Sequence, residues 1–374
     1  MKPIFYFLII GFTCLSCSKD DHLDDFAYEQ PNHCMHPERQ INFVKQQISE
    51  MNEPYYTAFL QLIHYADSIL NVSANVVTNY NVPEYYDDPV GHNAIAVLLQ
   101  NDAFNAYCSS LAYCLTDEEK YGQKACYFLN TWAYNNTTYS GHDGALDMSS
   151  AGSALMFAAE LMFDKTIWKE EDSKQFKTWV RNVYQKASNS IRHNENNWGD
   201  WGVFGSLLST SMLNDNSQIT YNINLLKSSL SSQIYPDGVM PKEIIRENNG
   251  KNQAFRYTYF AMSPITGSLW IVYNLTGENL FTWQEDGKSV KKVLDTLLYY
   301  YIHPQEWKWS TNKNFELQSP TLCWMDALFE AMSGIYNDPD YFEYVEPRRP
   351  VIYPRLDFVW VFPTLMPLKI GNYE

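Results

Sequence analysis

The chain has few cysteines, and none stands at a spacing typical of a metal site. Seven cysteines occur in 374 residues, without a CxxC pair or the cysteine and histidine spacing of a zinc site. The HExxH, phosphate-loop and EF-hand patterns are also missing. The sequence therefore predicts none of these metal or nucleotide sites, and we expect no metal and no cofactor.

Positive charge is scarce. The protein has 27 Lys and Arg against 43 Asp and Glu, a formal net charge of −16. Nucleic-acid binding needs clustered basic side chains that neutralise phosphates, so this composition excludes a nucleic-acid partner. It still permits a polyanionic substrate, because a local basic cleft can exist within an acidic exterior.

Long hydrophobic runs are missing too. The run from Ile4 to Phe12 is too short to span a bilayer and fits a secretory signal. Leu15-Ser16-Cys17 resembles a bacterial lipobox, and the Ser-Lys-Asp-Asp that follows resembles a surface-export signal. We expect a signal peptide at 1–16, a lipid on Cys17, a flexible tether at 17–38 and a monomeric outer-membrane lipoprotein, exposed at the cell surface or facing the periplasm. An ordinary cleaved signal with an incidental cysteine is the alternative.

Five cysteines remain beyond the signal: Cys34, Cys108, Cys114, Cys126 and Cys323. An exported chain could join Cys108 to Cys126, but buried free thiols are our expectation. His33 and His36 flank Cys34 in the tether, where we expect a flexible exposed segment rather than a zinc site.

Strand-like alternation is scarce before the tail, where residues 351–362 could form one extended piece. Apolar residues recur instead at helical spacing, and residues 116–119 have the form of a capping box that opens a helix. The predicted helices cover 54–70, 93–115, 116–134, 151–163, 170–190, 200–213, 218–233, 253–275, 288–301 and 321–336. With short polar loops, no linker and no sequence period, this pattern predicts an all-α chain, a single domain at 39–374 folded as an α/α toroid of about six or seven helical hairpins.

Three polar, aromatic-rich segments stand at predicted loop-to-helix junctions, where the loops of one end of a toroid line its cleft. Residues 134–152 hold Tyr139 and His142, residues 191–202 read IRHNENNWGDWG, and residues 236–265 form a basic patch interleaved with tyrosines. Such a patch suits an acidic sugar polymer, because cations bind carboxylates and rings stack on sugar faces. The candidates in the second and third segments are His193, Asn196, Asn197, Trp198, Trp201, Lys242, Arg246, Lys251, Arg256, Tyr257 and Tyr259.

A structural interpretation competes for part of the third segment. Tyr257, Phe260 and Ala261 also fit a core stripe at i, i+3 and i+4. We assign Phe260 and Ala261 to the core. The tyrosines stay open between core and function, because a buried hydroxyl needs a partner in either case.

These segments resemble the alginate lyase family. Its Asn-Asn-His-x-x-Trp motif is matched at 196–201 by NNWGDW, which keeps both asparagines and the last tryptophan. LTDEEKYGQKACYFLNTW at 115–132 is similar to the family helix with Tyr-x-x-Lys-Ala, and DGVMPKEI at 237–244 to its Gly-x-x-Pro-x-Glu-Leu. AFRYTYFAMSPI at 254–265 is similar to its Ala-Leu-x-Tyr-x-x-x-Ala-Leu-x-Pro-Leu. The resemblance extends over about residues 90–275, with departures similar to the family 38 lyases.

The resemblance implies an α/α toroid that cleaves 4-linked uronic-acid polymers by β-elimination, without a cofactor. Mannuronate-rich alginate is the first substrate and glucuronan the second, while endo or exo action stays open. It also implies that Asn197 neutralises the uronate carboxylate and that a tyrosine acts as base and acid. Strict alignment places the catalytic tyrosine at Phe260, so we favour Tyr257, followed by Tyr259.

Two family residues are replaced. The motif histidine is Trp198 here, and His142 or His193 could take its role. The family arginine is Gln253, and its substitutes could be Arg246, Lys251 or Arg256.

Two other functions compete with the lyase. A glycoside hydrolase on the same fold would need two opposed carboxylates, drawn from Asp147, Asp200 and Asp237. A glycan-binding lipoprotein without activity would use its tryptophans as stacking platforms only: Trp198, Trp201, Trp307 and Trp309.

Overall fold

The structure is a computed structural model that describes residues 33–247, 253–309, 311, 324–354 and 359–373. Cys17 and the signal, Lys251 and Cys323 lie outside the described residues, so the expectations for them stay predictions. Helices dominate the described chain, with two small two-stranded sheets. None of the described helices has the length and apolar character needed to cross a membrane.

Short turns, three 3-10 helices and a π turn at Val180–Tyr184 connect the α-helices of the described residues. The helices are α1 (Glu38–Ser49), α2 (Tyr55–Ile69), α3 (Pro89–Thr116), α4 (Glu119–Asn135), α5 (Gly144–Ser150), α6 (Ser153–Met162), α7 (Glu170–Trp179), α8 (Gln185–Ile191), α9 (Asn197–Met212), α10 (Asn216–Gln233), α11 (Pro241–Ile244), α12 (Gln253–Thr276), α13 (Val290–Ile302), α14 (Trp324–Tyr336) and α15 (Pro339–Val345). Strand β1 (Asn79–Asn81) pairs in parallel with β2 (Thr138–Ser140), and β3 (Gln284–Glu285) pairs antiparallel with β4 (Lys288–Ser289).

Helices buried on all sides alternate with helices that bury one face. Every residue of α6 and almost every residue of α9 is buried, and α12, α14 and the second half of α3 are largely enclosed. In contrast, α1, α7 and α13 bury one stripe each. Helix α3 packs against α4 and α6. Helix α9 packs against α8, α10 and α12. An inner layer is thus wrapped by an outer one, which confirms the predicted all-α toroid.

Most helix positions are confirmed, but the capping box is wrong. Thr116 is the last residue of α3, and its hydroxyl donates to the Ala112 carbonyl at 2.8 Å. Asp117 follows with a left-handed φ of 58°, and α4 begins at Glu119. The sequence therefore ends one helix where the pattern predicted the start of the next.

The tail differs from its prediction as well. The described residues at 351–354 and 359–362 contain no strand, and a hydrogen bond from the Tyr353 amide to the Val361 carbonyl at 2.8 Å joins the two pieces.

Residues 34–37, which we assigned to a flexible tether, are buried, so this part of the prediction is wrong. The Glu160 carboxylate of α6 accepts the amides of Met35 and His36 at 2.9 and 2.8 Å and the Cys34 thiol at 3.1 Å. The imidazole Nε2 of His36 lies 2.6 Å from the Tyr107 hydroxyl of α3. Because Glu160 lies in the last turn of α6, the segment crosses the end of the inner layer at which its helices finish.

Further bonds tie this segment to the other side of the ring. The Trp270 indole and the Asn274 amide, both near the end of α12, donate to the carbonyls of Met35 and Cys34 at 2.9 and 2.8 Å. Burial opposes ionisation of Glu160, but the hydrogen bond and charge of His36 outweigh it and hold the pKa of that carboxyl below its ordinary value. The segment therefore closes one end of the toroid.

The thiols agree with the sequence prediction. Cys34, Cys108, Cys114 and Cys126 are buried and free, and burial raises the pKa of Cys126 to about 12. No bond joins Cys108 to Cys126.

Replacing Glu160 by alanine removes the acceptor of two buried backbone amides. An unsatisfied buried donor costs about 1–3 kcal/mol, so we expect Glu160→Ala to lower the free energy of unfolding by about 3 kcal/mol or more. Urea denaturation measures this. Glu170→Ala is the matched control, because Glu170 is an exposed carboxylate paired with Lys174 and its loss should leave the free energy of unfolding nearly unchanged. Equal stability of the two variants would contradict the anchoring role of Glu160.

Candidate active site

A cleft of 1350 Å³ opens at the end of the toroid where the inner helices begin. The opening turns of α3, α9, α12 and α14 line it, together with α5 and residues of the loop before α3. The first amides of a helix lack partners within the helix and carry partial positive charge. Several helix starts at one cleft therefore favour an anion there, even in an acidic protein.

The start of α9 divides its motif between two faces. Asn196 caps the helix, with its side-chain oxygen accepting the Trp198 amide at 3.1 Å. Asn196 and Trp198 line the cleft. Asn197 and Trp201 are buried, and Trp201 packs against Phe260 with ring centres 5.3 Å apart. Trp201 is thus a core residue, and the predicted substrate contact is not supported by its position.

The two glycines of the motif permit close packing of the preceding loop. A Cβ on Gly199 would lie 1.8 Å from the Asn194 carbonyl oxygen, and one on Gly202 would lie 2.5 Å from the Arg192 backbone. Both distances are impossible for a side chain, so glycine lets the loop return against α9.

Asn197 binds a carboxylate of the protein itself. Its backbone and side-chain amides donate to the Glu243 carboxylate at 2.7 and 2.8 Å, which ties the start of α9 to α11. Burial raises the pKa of Glu243, and the Asn197 bonds oppose this shift. With its amide directed to Glu243, Asn197 does not line the cleft. The predicted contact between Asn197 and the substrate carboxylate is therefore not supported.

Tyr257, in the second turn of α12, lies in the cleft wall. Its hydroxyl hydrogen-bonds to the hydroxyl of Tyr86, and the Arg246 guanidinium lies 4.0 Å from its ring centre. Burial and the Tyr86 bond raise the pKa of Tyr257, while the Arg246 charge opposes the shift. The site thus holds a half-buried phenol beside a cation.

Tyr259 does not share this position. Two residues along a helix correspond to a rotation of about 200°, so Tyr257 and Tyr259 face opposite ways. Tyr259 is 1% exposed and packs against Phe255, with ring centres 5.3 Å apart. This places Tyr259 in the core, contrary to its candidacy as a cleft residue.

His142 reaches the cleft from the turn between β2 and α5. Its Nδ1 lies 2.6 Å from the Asp143 carboxylate, and its ring meets Trp198 edge-on with centres 5.5 Å apart. The hydrogen bond to Asp143 raises the pKa of His142, with burial acting against it. His142 is therefore a candidate cation, held against the indole of α9.

The remaining basic candidates separate into two groups. Arg246 and Arg256 line the cleft, and the Arg256 guanidinium lies 5.7 Å from the ring centre of Trp324. Lys242 points to the surface, with its ammonium 3.9 Å from Glu195, and does not line the cleft. His193 is also outside it, because its ring turns to Tyr221 on α10.

Two further predictions need correction. Tyr139, in β2, is half-buried and packs against the core instead of lining the cleft. Phe260, assigned to the core, is only partly buried and lines the cleft, whereas Ala261 is buried as predicted.

Sequence reasoning missed two aromatic residues, Tyr86 and Trp324, and one histidine, His92. Tyr86 lies in PEYYDD, where a tyrosine pair precedes the Asp88 cap of α3, and this was the available signal. His92 follows in the first turn of α3, with its Nδ1 3.2 Å from Asp143. Tyr86 and His92 stand around the start of α3 and Trp324 at the start of α14, and none of our three candidate segments included either place.

The carboxylates proposed for hydrolysis do not converge. Asp147 lines the cleft, with its carboxylate 3.6 Å from His92. Asp200 is buried, accepts from Gln233 at 2.9 Å and has its pKa raised by burial and by the Glu243 charge. Asp237 lines a different groove near α13. Among the described residues, the side of the cleft formed by α11, α12 and α14 contributes two arginines and no carboxylate.

The tryptophans proposed as platforms are also divided. Trp198 lines the cleft, while Trp307 is buried and Trp309 lies in the groove near α13. In the part of the chain that the structure describes, no group of three or more His, Cys, Asp or Glu side chains is arranged to hold a metal ion.

A sequence model of the family described as alginate lyase matches residues 74–307. A search of curated proteins finds no match. Among solved structures, an alginate lyase from Bacteroides ovatus is 18% identical with a TM-score of 0.68, covering 86% of this chain and 96% of its own. Alginate lyase A1-III from Sphingomonas species A1 is 12% identical with a TM-score of 0.70, covering 91% and 96%. A tyrosine-to-phenylalanine variant of A1-III in complex with a tetrasaccharide is 14% identical with a TM-score of 0.72, covering 93% and 99%.

Asn197→Ala tests whether Asn197 acts on the fold. It removes one of two bonds to the buried Glu243 carboxylate, so we expect the free energy of unfolding to fall by about 1–3 kcal/mol. Asn101→Ala is the control, because Asn101 is exposed in the cleft wall and its loss should change stability by less than about 0.5 kcal/mol. Thermal or urea denaturation of the two variants measures this difference in stability. An Asn197→Ala variant as stable as the control would speak against the fold role.

Proposed function

Because the chain belongs to the alginate lyase family and is thus a polysaccharide lyase, we propose that it cleaves 4-linked uronic-acid polymers by β-elimination. Mannuronate-rich alginate is the proposed first substrate and a glucuronate polymer the second. The observation that carries the proposal is Tyr257 in the cleft wall, hydrogen-bonded to Tyr86 and covered by the Arg246 guanidinium.

Elimination requires that the charge of the uronate carboxylate be neutralised. The proton on C5 is poorly acidic beside a free carboxylate, and negative charge builds on that group as the proton leaves. Hydrogen-bond donors and cations fixed at this place stabilise the developing charge. His142, Arg246 and Arg256 line the cleft together and supply such groups.

His142 is the proposed substitute for the motif histidine of the family. Trp198 occupies the motif position, and His142 packs against its indole from another segment. The hydrogen bond that His142 donates to Asp143 raises the pKa of His142, which favours the imidazolium, the form that pairs with a carboxylate. An imidazole thus stands beside the motif position although the motif itself lacks one.

Tyr257 is the proposed base and acid. In mannuronate the C5 proton and O4 lie on the same face of the sugar, so one phenol can take the first proton and protonate the leaving oxygen. Abstraction requires the phenolate. Burial raises the pKa of Tyr257, and Arg246 is the neighbour whose charge opposes that rise and stabilises the phenolate.

The cleft also suits an acidic chain in its size and lining. Trp198, Phe260 and Trp324 offer ring surface within the same 1350 Å³ that holds the two arginines. The A1-III variant with a tetrasaccharide, and a histidine-to-alanine variant of A1-III with a tetrasaccharide, support an oligosaccharide as the occupant.

A panel of polymers tests the proposed reaction. We expect polymannuronate to yield products with the ultraviolet absorbance of a 4,5-unsaturated sugar, faster than glucuronan, polyguluronate or a neutral glucan. New reducing ends without that absorbance would indicate hydrolysis. Binding without either signal would indicate a binding protein. Both results contradict the proposal.

Tyr257→Phe tests the base and acid. Removing a general acid–base group costs about 10²–10⁴-fold in rate, so we expect kcat to fall in this range while KM changes little. Tyr259→Phe is the matched control, because it removes a hydroxyl two residues away in the core and should retain kcat within a few-fold. If Tyr259→Phe lost activity and Tyr257→Phe remained active, Tyr259 would be the base and acid, and the assignment of Tyr257 would be wrong.

A further inference from the structure

The Asp143 carboxylate is shared between two parts of the cleft. It accepts from His142 Nδ1 at 2.6 Å through Oδ1, and from the Tyr85 backbone amide at 2.9 Å through Oδ2. The Nδ1 of His92 lies 3.2 Å from Oδ2. We propose that Asp143 is a positioning residue that fixes the orientation and tautomer of His142, and so prepares His142 to pair with the substrate carboxylate.

The second oxygen keeps the carboxylate from rotating. The Asp143 side chain is 10% exposed, and its own amide donates to the Val82 carbonyl at 3.2 Å. His92 Nδ1 lies 3.0 Å from the Pro83 carbonyl, which can only accept, so this nitrogen carries the proton. Asp143 is therefore held from the loop before α3 and from α3, and Oδ1 has a fixed direction.

This fixed oxygen determines the chemistry of His142. A carboxylate accepts only, so Nδ1 of His142 carries a proton and Nε2 is the nitrogen left for a ligand. The charged groups around the imidazole are Asp143 on its own turn and Glu84 and Asp87 on the loop before α3. On the other walls of the cleft stand Asp147, Arg246 and Arg256.

An asparagine at position 143 cannot reproduce this pattern. Its one oxygen can serve either the Tyr85 amide or His142 Nδ1, and its NH2 group must face the other donor. If the oxygen stays on the Tyr85 amide, His142 must turn Nδ1 into an acceptor and carry its proton on Nε2. That neutral tautomer lacks the charge that pairs with a carboxylate.

The direction of the pH effect follows. The pKa of His142 is raised in the native chain, so the imidazolium persists to higher pH than for a free histidine and is lost as pH rises through that value. Without the Asp143 charge the loss occurs at lower pH. The alkaline limit of any step that needs the imidazolium therefore moves toward acid in Asp143→Asn.

The experiment uses the full chain with Asp143→Asn and, as the matched control, Asp87→Asn, which removes a nearby loop charge that does not contact His142. NMR titration of His142, assigned with His142→Ala, gives its pKa independently of activity. We expect the pKa of His142 to lie above that of a free histidine in the native chain, to fall in Asp143→Asn, and to fall much less in Asp87→Asn, whose charge contributes least to the shift. An unchanged titration in Asp143→Asn overturns the proposal.

The kinetic arm rests on the proposed lyase function. Loss of a group that orients a functional histidine typically costs about 10–100-fold, so we expect this fall in kcat/KM for Asp143→Asn. His142→Ala with Asp143→Asn should be no slower than His142→Ala alone, because Asp143 acts through His142. If the losses in kcat/KM caused by the two substitutions add in the double variant, the proposal is overturned. If the native chain cleaves no uronate polymer, the proposed function fails, and the titration still decides the role of Asp143.

Discussion

The site depends on one constraint, the common direction of the inner helices. Because α3, α9, α12 and α14 all begin at the same end, the positive ends of their dipoles collect there. The chain carries a net charge of −16, so its surface as a whole repels an acidic polymer. The helix starts, with Arg246 and Arg256, place positive charge in the cleft beside its carboxylates, Glu84, Asp143 and Asp147. The positive charge at this end is thus a property of the topology before it is a property of any single side chain.

The sequence predicted the helices well because their signal is local. Apolar spacing over 253–275 gave α12 within one residue, and the all-apolar run at 151–163 gave the buried α6. The capping box at Thr116 was wrong because a threonine near a helix end can bond back to the carbonyl four residues earlier as readily as it can cap the next helix. The tether prediction was wrong at residues 34–37, since their acceptor, Glu160, is more than a hundred residues away.

The candidate site was predictable in its segments and less so in its residues. Each step along a helix turns the side chain by about 100°, so the order of residues in a motif does not show which of them face the cleft. Asn197 turned inward to Glu243 while Asn196 and Trp198 turned outward. Tyr257 and Tyr259 separated in the same way. Tyr86 and His92 escaped notice because the parallel pairing of β1 with β2, which brings their loop beside His142, leaves no trace in local sequence.

The buried segment at residues 34–37 also fixes the end of the ring at which the described chain begins. It enters the ring at the end where α6 and α12 finish, on the side away from the cleft. A chain attached through Cys17 would be held at the end of the toroid opposite the cleft, so that the cleft would face away from the point of attachment. The buried hydrogen bonds that close this end of the fold would therefore also determine the orientation of an anchored enzyme.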